Sequence, residues 1–459
     1  MLDKLKPLLY PALIFIIVVI ISLLTFKHGT FLSGWDTLHP EFDFGLNFER
    51  MFNGVWREEQ GVGALAGHSH MADLPRVTLL WILHFVLPLT SLRYTYVFLC
   101  LLLGPLGMYF LLKNIFSGIS NFKLQISNLI AFLASLFYLL NLGTVQQFYA
   151  PFEMFTTQYA MLPWIILFSL KYLDENKSEA SNTKPETNSK PFSNFKFRIS
   201  NSKRKNLIFF SIFTLLATPQ AYAAHLWYPF FGVFSLFLTT YVILNSPALS
   251  KAEGFQDLEG SRNKFGMTKR AITLVIITLL VNSFWLLPNL YYIFTSSNVP
   301  KESKQNRIFS QEYRLRNQEN GYIQDVAITK GFYFQWSAYS FEKNKFEYLM
   351  PEWREHISNP LVQSIGYIFF GFSLGGLFLA FKRRQKTLLS FAPFVIIPFI
   401  FLMNHTPPFS WLYNYLLNFS LFEEAVRFIF TKLSILLVFG YTVFLSYFLL
   451  WLFDAVKSR

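Results

Sequence analysis

Residues 8–26 read LLYPALIFIIVVIISLLTF, nineteen residues without a charge between Lys6 and Lys27. As a helix rising about 1.5 Å per residue, such a run matches a hydrocarbon core of roughly 30 Å. It is longer than the apolar part of a secretory signal, and no small-residue cleavage site precedes Lys27, so the run is read as a retained transmembrane helix. Comparable blocks recur near 94–112, 126–142, 155–170, 207–224, 226–244, 272–295, 361–381, 387–403 and 428–452, which makes ten spans with the first. Composition agrees: 53% of the 459 residues are hydrophobic and 15% charged, against roughly a quarter charged in a soluble domain. A soluble enzyme is excluded, and the fold expected is an all-α polytopic membrane protein with about ten transmembrane helices. Cys100 is the single cysteine and lies in an apolar run, so neither a disulfide framework nor a thiolate metal site can form.

The stretch 77–89, VTLLWILHFVLPL, sets the side on which every later loop falls. It has thirteen residues and contains His84 and Pro88, short for a span, and is read as a helix lying in the outer interface. With ten spans and both termini cytoplasmic, the inner side holds 24 of the 40 basic residues and 9 of the 27 acids, a net +15 inside and −2 outside. That distribution obeys the positive-inside rule. Counting 77–89 as a span would invert it and put Lys203-Arg204-Lys205 and Lys382-Arg383-Arg384 outside. The chain's net charge of +13 is thereby explained by its inner loops, and no nucleic-acid partner is implied. The polar stretch 174–206 should be disordered, and 246–270, with Gly254, Gly260 and Gly266, similarly unstructured.

The chain divides into an N-terminal transmembrane module, 1–295, with a first outer loop at 27–93, then an outer loop at 296–360 and C-terminal transmembrane helices at 361–459. In the first outer loop acids outnumber bases by seven to five. Pro40 suits a helix start, and Phe44, Phe48, Met51, Phe52 and Val55 then share one face, the pattern of an amphipathic helix lying on the membrane. Asp36, Glu41 and Asp43 stand before and inside its first turn, where a helix N-terminus favours carboxylates. They are either simple caps or a general base or metal ligand facing a lipid-linked substrate.

This arrangement resembles the GT-C superfamily of membrane glycosyltransferases. One span is followed by an acidic first outer loop with interfacial helices, then by many more spans. Glu41-Phe42-Asp43 is similar to the superfamily's degenerate acidic pair, and Asp36 in Gly34-Trp35-Asp36 to the early aspartate of the YfhO-like and arabinofuranosyltransferase-like branches. Gly54-Val55-Trp56 and Gly61-Val62-Gly63 resemble the small-residue segment of those branches, and Leu421 to Phe428 (LFEEAVRF) their late aromatic-arginine segment, without its proline. The resemblance implies transfer of a sugar from a polyprenyl-phosphate donor to a glycan or lipid acceptor at the outer face of the cytoplasmic membrane. Asp36 would be the base, with Glu41 or Asp43 supporting it or holding a divalent cation, the one cofactor entertained. Arg427 and Arg93 would meet the lipid phosphate.

Other residues bear on the same chemistry. Arg57 and Arg76 are further outer-side arginines that could grip a phosphate or simply meet lipid headgroups. Gln147 and Glu153, in the polar run Gln146 to Tyr159, could line a sugar pocket or cap two spans. His68, His70 and Asp73 form an H-x-H-x-x-D cluster with zinc-like spacing that equally suits a turn. In the 296–360 loop, with nine basic and eight acidic residues, Phe332, Tyr333, Phe334, Trp336 and Tyr339 could anchor the membrane surface or stack on a sugar. The rival functions are a transporter or flippase for a lipid-linked saccharide, which would need ionisable residues within the spans, and a non-catalytic membrane assembly protein. The transferase reading expects 27–93, 296–360 and 404–427 to form one cavity.

Overall fold

The computed structural model describes residues 8–33, 39–53, 56–57, 64–65, 70–119, 124–174, 201–245, 258–302, 304–334, 336–419, 422–423 and 426–457. These are almost wholly helical. The exceptions are two antiparallel hairpins, β1 (Trp56–Arg57) with β2 (Ala64–Leu65) and β3 (Ser337–Ser340) with β4 (Lys345–Tyr348).

The N-terminal part comprises α1 (Leu9–Thr25), α2 (Phe44–Phe52), α3 (Leu74–His84), α4 (Leu89–Ser117), α5 (Leu124–Leu140), α6 (Leu142–Tyr149), α7 (Glu153–Asp174), α8 (Asn201–Leu216), α9 (Ala224–Asn245) and α10 (Leu258–Ser296). Then follow α11 (Asn298–Glu302), α12 (Lys304–Glu319), α13 (Ile323–Ala327), α14 (Pro351–Ser358), α15 (Pro360–Lys382), α16 (Lys386–Leu389), α17 (Pro393–Leu402), α18 (Phe409–Leu416) and α19 (Ile429–Lys457). Among the described residues, α4, α9, α10 from Gly266, α15 and α19 are the five helices long and apolar enough to cross a membrane; α5 and α6, bent by 44° at Asn141, make a sixth if taken as one broken span. The molecule is a multi-pass membrane protein by this measure.

Burial separates a central helix from a peripheral one. In α19, 89% of the most apolar stretch is buried, against 17% in α15, so α19 is the axis of the bundle and α15 turns its side chains outward. Small residues let the helices approach. A Cβ at Gly104 of α4 would lie 2.2 Å from the Tyr159 ring of α7, and one at Gly107 2.6 Å from Trp164, so this pair closes to a distance any larger residue would forbid. Trp164 then donates its indole N–H to the Leu103 carbonyl at 2.9 Å, and Tyr138 stacks on Tyr159 at 4.6 Å.

The 77–89 segment becomes α3, eleven residues long, which at the helical rise is about half the thickness of a hydrocarbon core. The amphipathic helix α2 is present, but it uses its apolar stripe differently from the sequence expectation. Phe44 packs near His84 at 5.7 Å and Phe48 edge-on to Trp81 at 6.2 Å, while Met51 is buried. Phe52, with Phe42 and Leu46, stays exposed. The stripe therefore meets α3 first, because α3 offers aromatic partners. Two polar stretches expected to be unstructured are partly helical: α8 starts at Asn201 and α10 at Leu258, so each span is extended by a polar turn or more. Residues 175–200 and 246–257 lie outside the described residues.

Candidate functional site

Asp73 ends a short 3-10 turn, His70–Asp73, and precedes Pro75 in the first turn of α3. Its carboxylate makes no cap. Instead both oxygens receive the fork of Arg76 one turn on, Nε donating to Oδ1 at 2.7 Å and Nη2 to Oδ2. Arg76 Nη1 lies 3.2 Å from Glu153 Oε1 at the start of α7, and the same oxygen pairs with Arg93 Nη2 from the first turns of α4. Arg93 Nη1 is 3.2 Å from His39 Nε2, and His39 Nδ1 is 3.0 Å from Glu41 Oε1. Six side chains from four separate segments thus form a ladder in the order Asp73, Arg76, Glu153, Arg93, His39, Glu41.

All five carboxylates and guanidiniums of this ladder are buried, and only the His39 side chain, 18% exposed, reaches the surface. Burial disfavours the Arg76 cation, yet the Asp73 and Glu153 carboxylates outweigh it and raise its pKa. Tyr96 closes the flank: its ring lies 5.9 Å from the Arg76 guanidinium, and its hydroxyl is 2.6 Å from Thr157, which itself donates to the Glu153 carbonyl. The ladder holds three carboxylates against two guanidiniums. It is no ready-made anion site, because each arginine already faces at least one carboxylate.

Of the candidates read from sequence, Glu41, Asp73, Arg76, Arg93 and Glu153 come together here. Asp43 does not join them. It is exposed and caps α2, accepting the Leu46 N–H at 2.9 Å. His70 turns to Tyr222, stacking on its ring at 4.8 Å with Nε2 2.9 Å from its hydroxyl. Among the described residues no three His, Cys, Asp or Glu side chains converge as a metal site requires. Asp36 and His68 lie outside the described residues, and of Arg57 only the backbone, in β1, is described.

A second polar region lies where α12, α13 and the start of α19 meet. Gln147 reaches it from α6, its Nε2 donating to Ser434 Oγ at 2.8 Å, and Gln146 spans to the Thr329 carbonyl and the Gly331 N–H at 2.8 and 3.0 Å. Between these elements is a recess, about 360 Å³ when open solvent at its mouth is counted, that as a whole admits a group the size of a water molecule. Asn317, Asn320, Asn404, Lys330 and Phe430 line it. The 296–360 and 404–427 regions flank this recess, but no described residue of the 27–93 loop lines it. Arg427 sits beside it with its guanidinium 5.7 Å from the Tyr313 ring, while Glu423 pairs with Arg314 at 2.7 Å. Of the expected aromatic anchors Tyr333 and Phe334 are buried and Trp336 stacks on Tyr313 and under Arg316, while Tyr339 stays exposed and the Phe332 side chain lies outside the described residues.

Sequence reading missed His39, although His39-Pro40-Glu41 sits inside the acidic segment it singled out, and it missed the asparagines, which no spacing links. No family model, characterised protein or solved structure matches the chain.

Proposed function

We propose that the protein is a GT-C-like glycosyltransferase of the cytoplasmic membrane, with ten spans and both termini cytoplasmic, moving a sugar from polyprenyl phosphate to an acceptor hydroxyl at the outer face. The observation that carries the reading is the His39–Glu41 pair at the surface end of the ladder, in an outer loop whose helices lie beside membrane-length helices. With Nδ1 donating to Glu41, His39 Nε2 accepts from Arg93 Nη1 at 3.2 Å, and Glu41 holds the ring in that tautomer. The acceptor hydroxyl would take the place of Arg93 Nη1 at Nε2 and pass its proton there, with His39 as the general base and Glu41 as its positioning residue. The acceptor oxygen then forms a bond to the anomeric carbon as the bond to the phosphate oxygen breaks, and its electron pair leaves with the lipid phosphate. Arg427 lies beside the recess, which no described residue of the 27–93 loop lines, so for it to meet that charge the lipid phosphate must extend from His39 to the recess.

Transfer from a polyprenyl-phosphate-linked sugar in proteoliposomes tests this. His39→Gln and Glu41→Gln are each expected to lower turnover by about a hundredfold, the ordinary reach of acid-base catalysis, and Arg427→Ala by about tenfold. Asp43→Asn should leave it unchanged. A folded protein that transfers no sugar from any such donor overturns the reading. The flippase alternative draws on the same ladder, since ionisable groups buried between helices also mark transport paths; it predicts movement of the lipid-linked sugar across the vesicle without transfer.

A further inference from the structure

Two amides in the recess are buried with their hydrogen-bonding groups unmatched. Asn404, 1% exposed, lies just past the Met403 cap of α17, and Asn320, 7% exposed, follows α12; in both, neither Nδ2 nor Oδ1 has a hydrogen-bond partner among the described residues. Behind the lining residue Ser434, which holds Gln147 Nε2, the Gln147 Oε1 is likewise unmatched among the described residues. Leaving such groups unpaired inside a protein is unfavourable, because the water they gave up is not replaced. They are also held firmly in place. A Cβ on Gly321 would lie 2.1 Å from Asn404 Oδ1, and the Gly321 carbonyl accepts from the His405 N–H at 3.2 Å and from Thr406 Oγ1 at 3.1 Å.

The chemistry of the walls defines what would match them. A carboxamide offers a donor and an acceptor side by side, the complement of a hydroxyl, which both donates and accepts. Among the described residues Lys330 is the cation in the lining, and it is 3.1 Å from the Asp325 carboxylate, which offsets its charge toward a phosphate or carboxylate. Amide oxygens without a carboxylate make a poor divalent-metal site. Phe430 supplies an apolar wall, its ring so close to the backbone that a Cβ on Gly331 would lie 2.3 Å from it. The recess as a whole takes a hydroxyl-sized group and excludes a sugar ring.

We propose that this recess is a binding site for a hydroxyl on the edge of an uncharged saccharide, with Asn404 and Asn320 reading that hydroxyl and the sugar ring staying at the mouth. The proposal takes from the transferase reading only that a sugar is the solute, and binding needs no donor lipid and no turnover.

The full chain in lipid nanodiscs is titrated with the methyl glycosides of glucose, galactose, mannose and arabinofuranose, with sodium phosphate as the charged control, by calorimetry and by thermal unfolding. At least one glycoside should bind and raise the unfolding temperature. Asn404→Leu and Asn320→Leu should each weaken that binding by about tenfold or more. Their unliganded unfolding temperature should be unchanged or higher, because no internal hydrogen bond is lost. Gly321→Ala, which drives a methyl against the Asn404 amide while keeping both asparagines, should weaken binding as well. The proposal is overturned if no glycoside binds the wild type, if phosphate binds in preference, or if the variants bind glycoside as the wild type does. Glycoside binding by a protein that transfers no sugar would keep this proposal and remove the transferase reading; transfer without binding at the recess would do the reverse.

Discussion

The ladder and the recess are both polar and both buried, yet they obey opposite rules. In the ladder every charge from Asp73 to Glu41 meets an opposite charge or an imidazole, and the partners come from the 39–41 segment, α3, α4 and α7. In the recess, Asn320 and Asn404 line one space with their amides unmatched. A buried ion-pair chain that is complete within the protein clamps segments together, whereas polar groups left unmatched mark the place where something from outside completes them. His39, next to last in the ladder and partnered on both ring nitrogens, is the member whose side chain reaches the surface.

The largest expected effect attacks the clamp. Among the described residues Glu153 alone touches both arginines, so Glu153→Ala leaves Arg76 and Arg93 buried with reduced compensation and should destabilise the protein by about 3–5 kcal/mol, measured by chemical unfolding in micelles. A loss below about 1 kcal/mol would mean that the ladder is solvated and does not clamp anything. A finer cut separates charge from shape. Asp73→Asn keeps the volume but removes the carboxylate that receives both Arg76 nitrogens, and should cost about 1.5–3 kcal/mol. The double variant Asp73→Leu with Arg76→Met should be less destabilised than either single change, because an apolar replacement removes both desolvation penalties together. Additive losses in that cycle would break the comparison by showing that the two residues act independently. The smallest effect lies outside both regions: Asp43→Ala removes the α2 cap and should cost about 1 kcal/mol with no change in turnover. A large fall in turnover there would return Asp43 to the catalytic set.

Parts of this architecture are legible in the amino-acid sequence. The apolar blocks place α1, α4, α9, α15 and α19 to within a few residues, because transfer from water to hydrocarbon is a local, nearly additive quantity. Pro40 marks the 3-10 turn that leads into α2, and Asp43 its cap, since both are properties of a few adjacent residues. The Asp73–Arg76 pair carries a legible sign too, the i,i+3 spacing of opposite charges on a helix start, which the H-x-H-x-x-D pattern obscures. By contrast the polar first turns of α8 and α10 carry no hydropathy signal, and only continuation of the helix beyond the apolar stretch reveals them.

Which segments leave water, and which carboxylates and arginines lie near their ends, is written in the chain, because those properties depend on composition over a turn or a span. That Glu153 meets Arg93 across sixty positions of chain, or that Asn404 and Asn320 share one recess, is not. Those meetings follow from how closely and at what angle helices pack, as where Gly104 and Gly107 let α4 close on α7 and so bring Arg93 to the first residue of that helix. A glycine's effect on the distance between two helices is invisible until its partner helix is known.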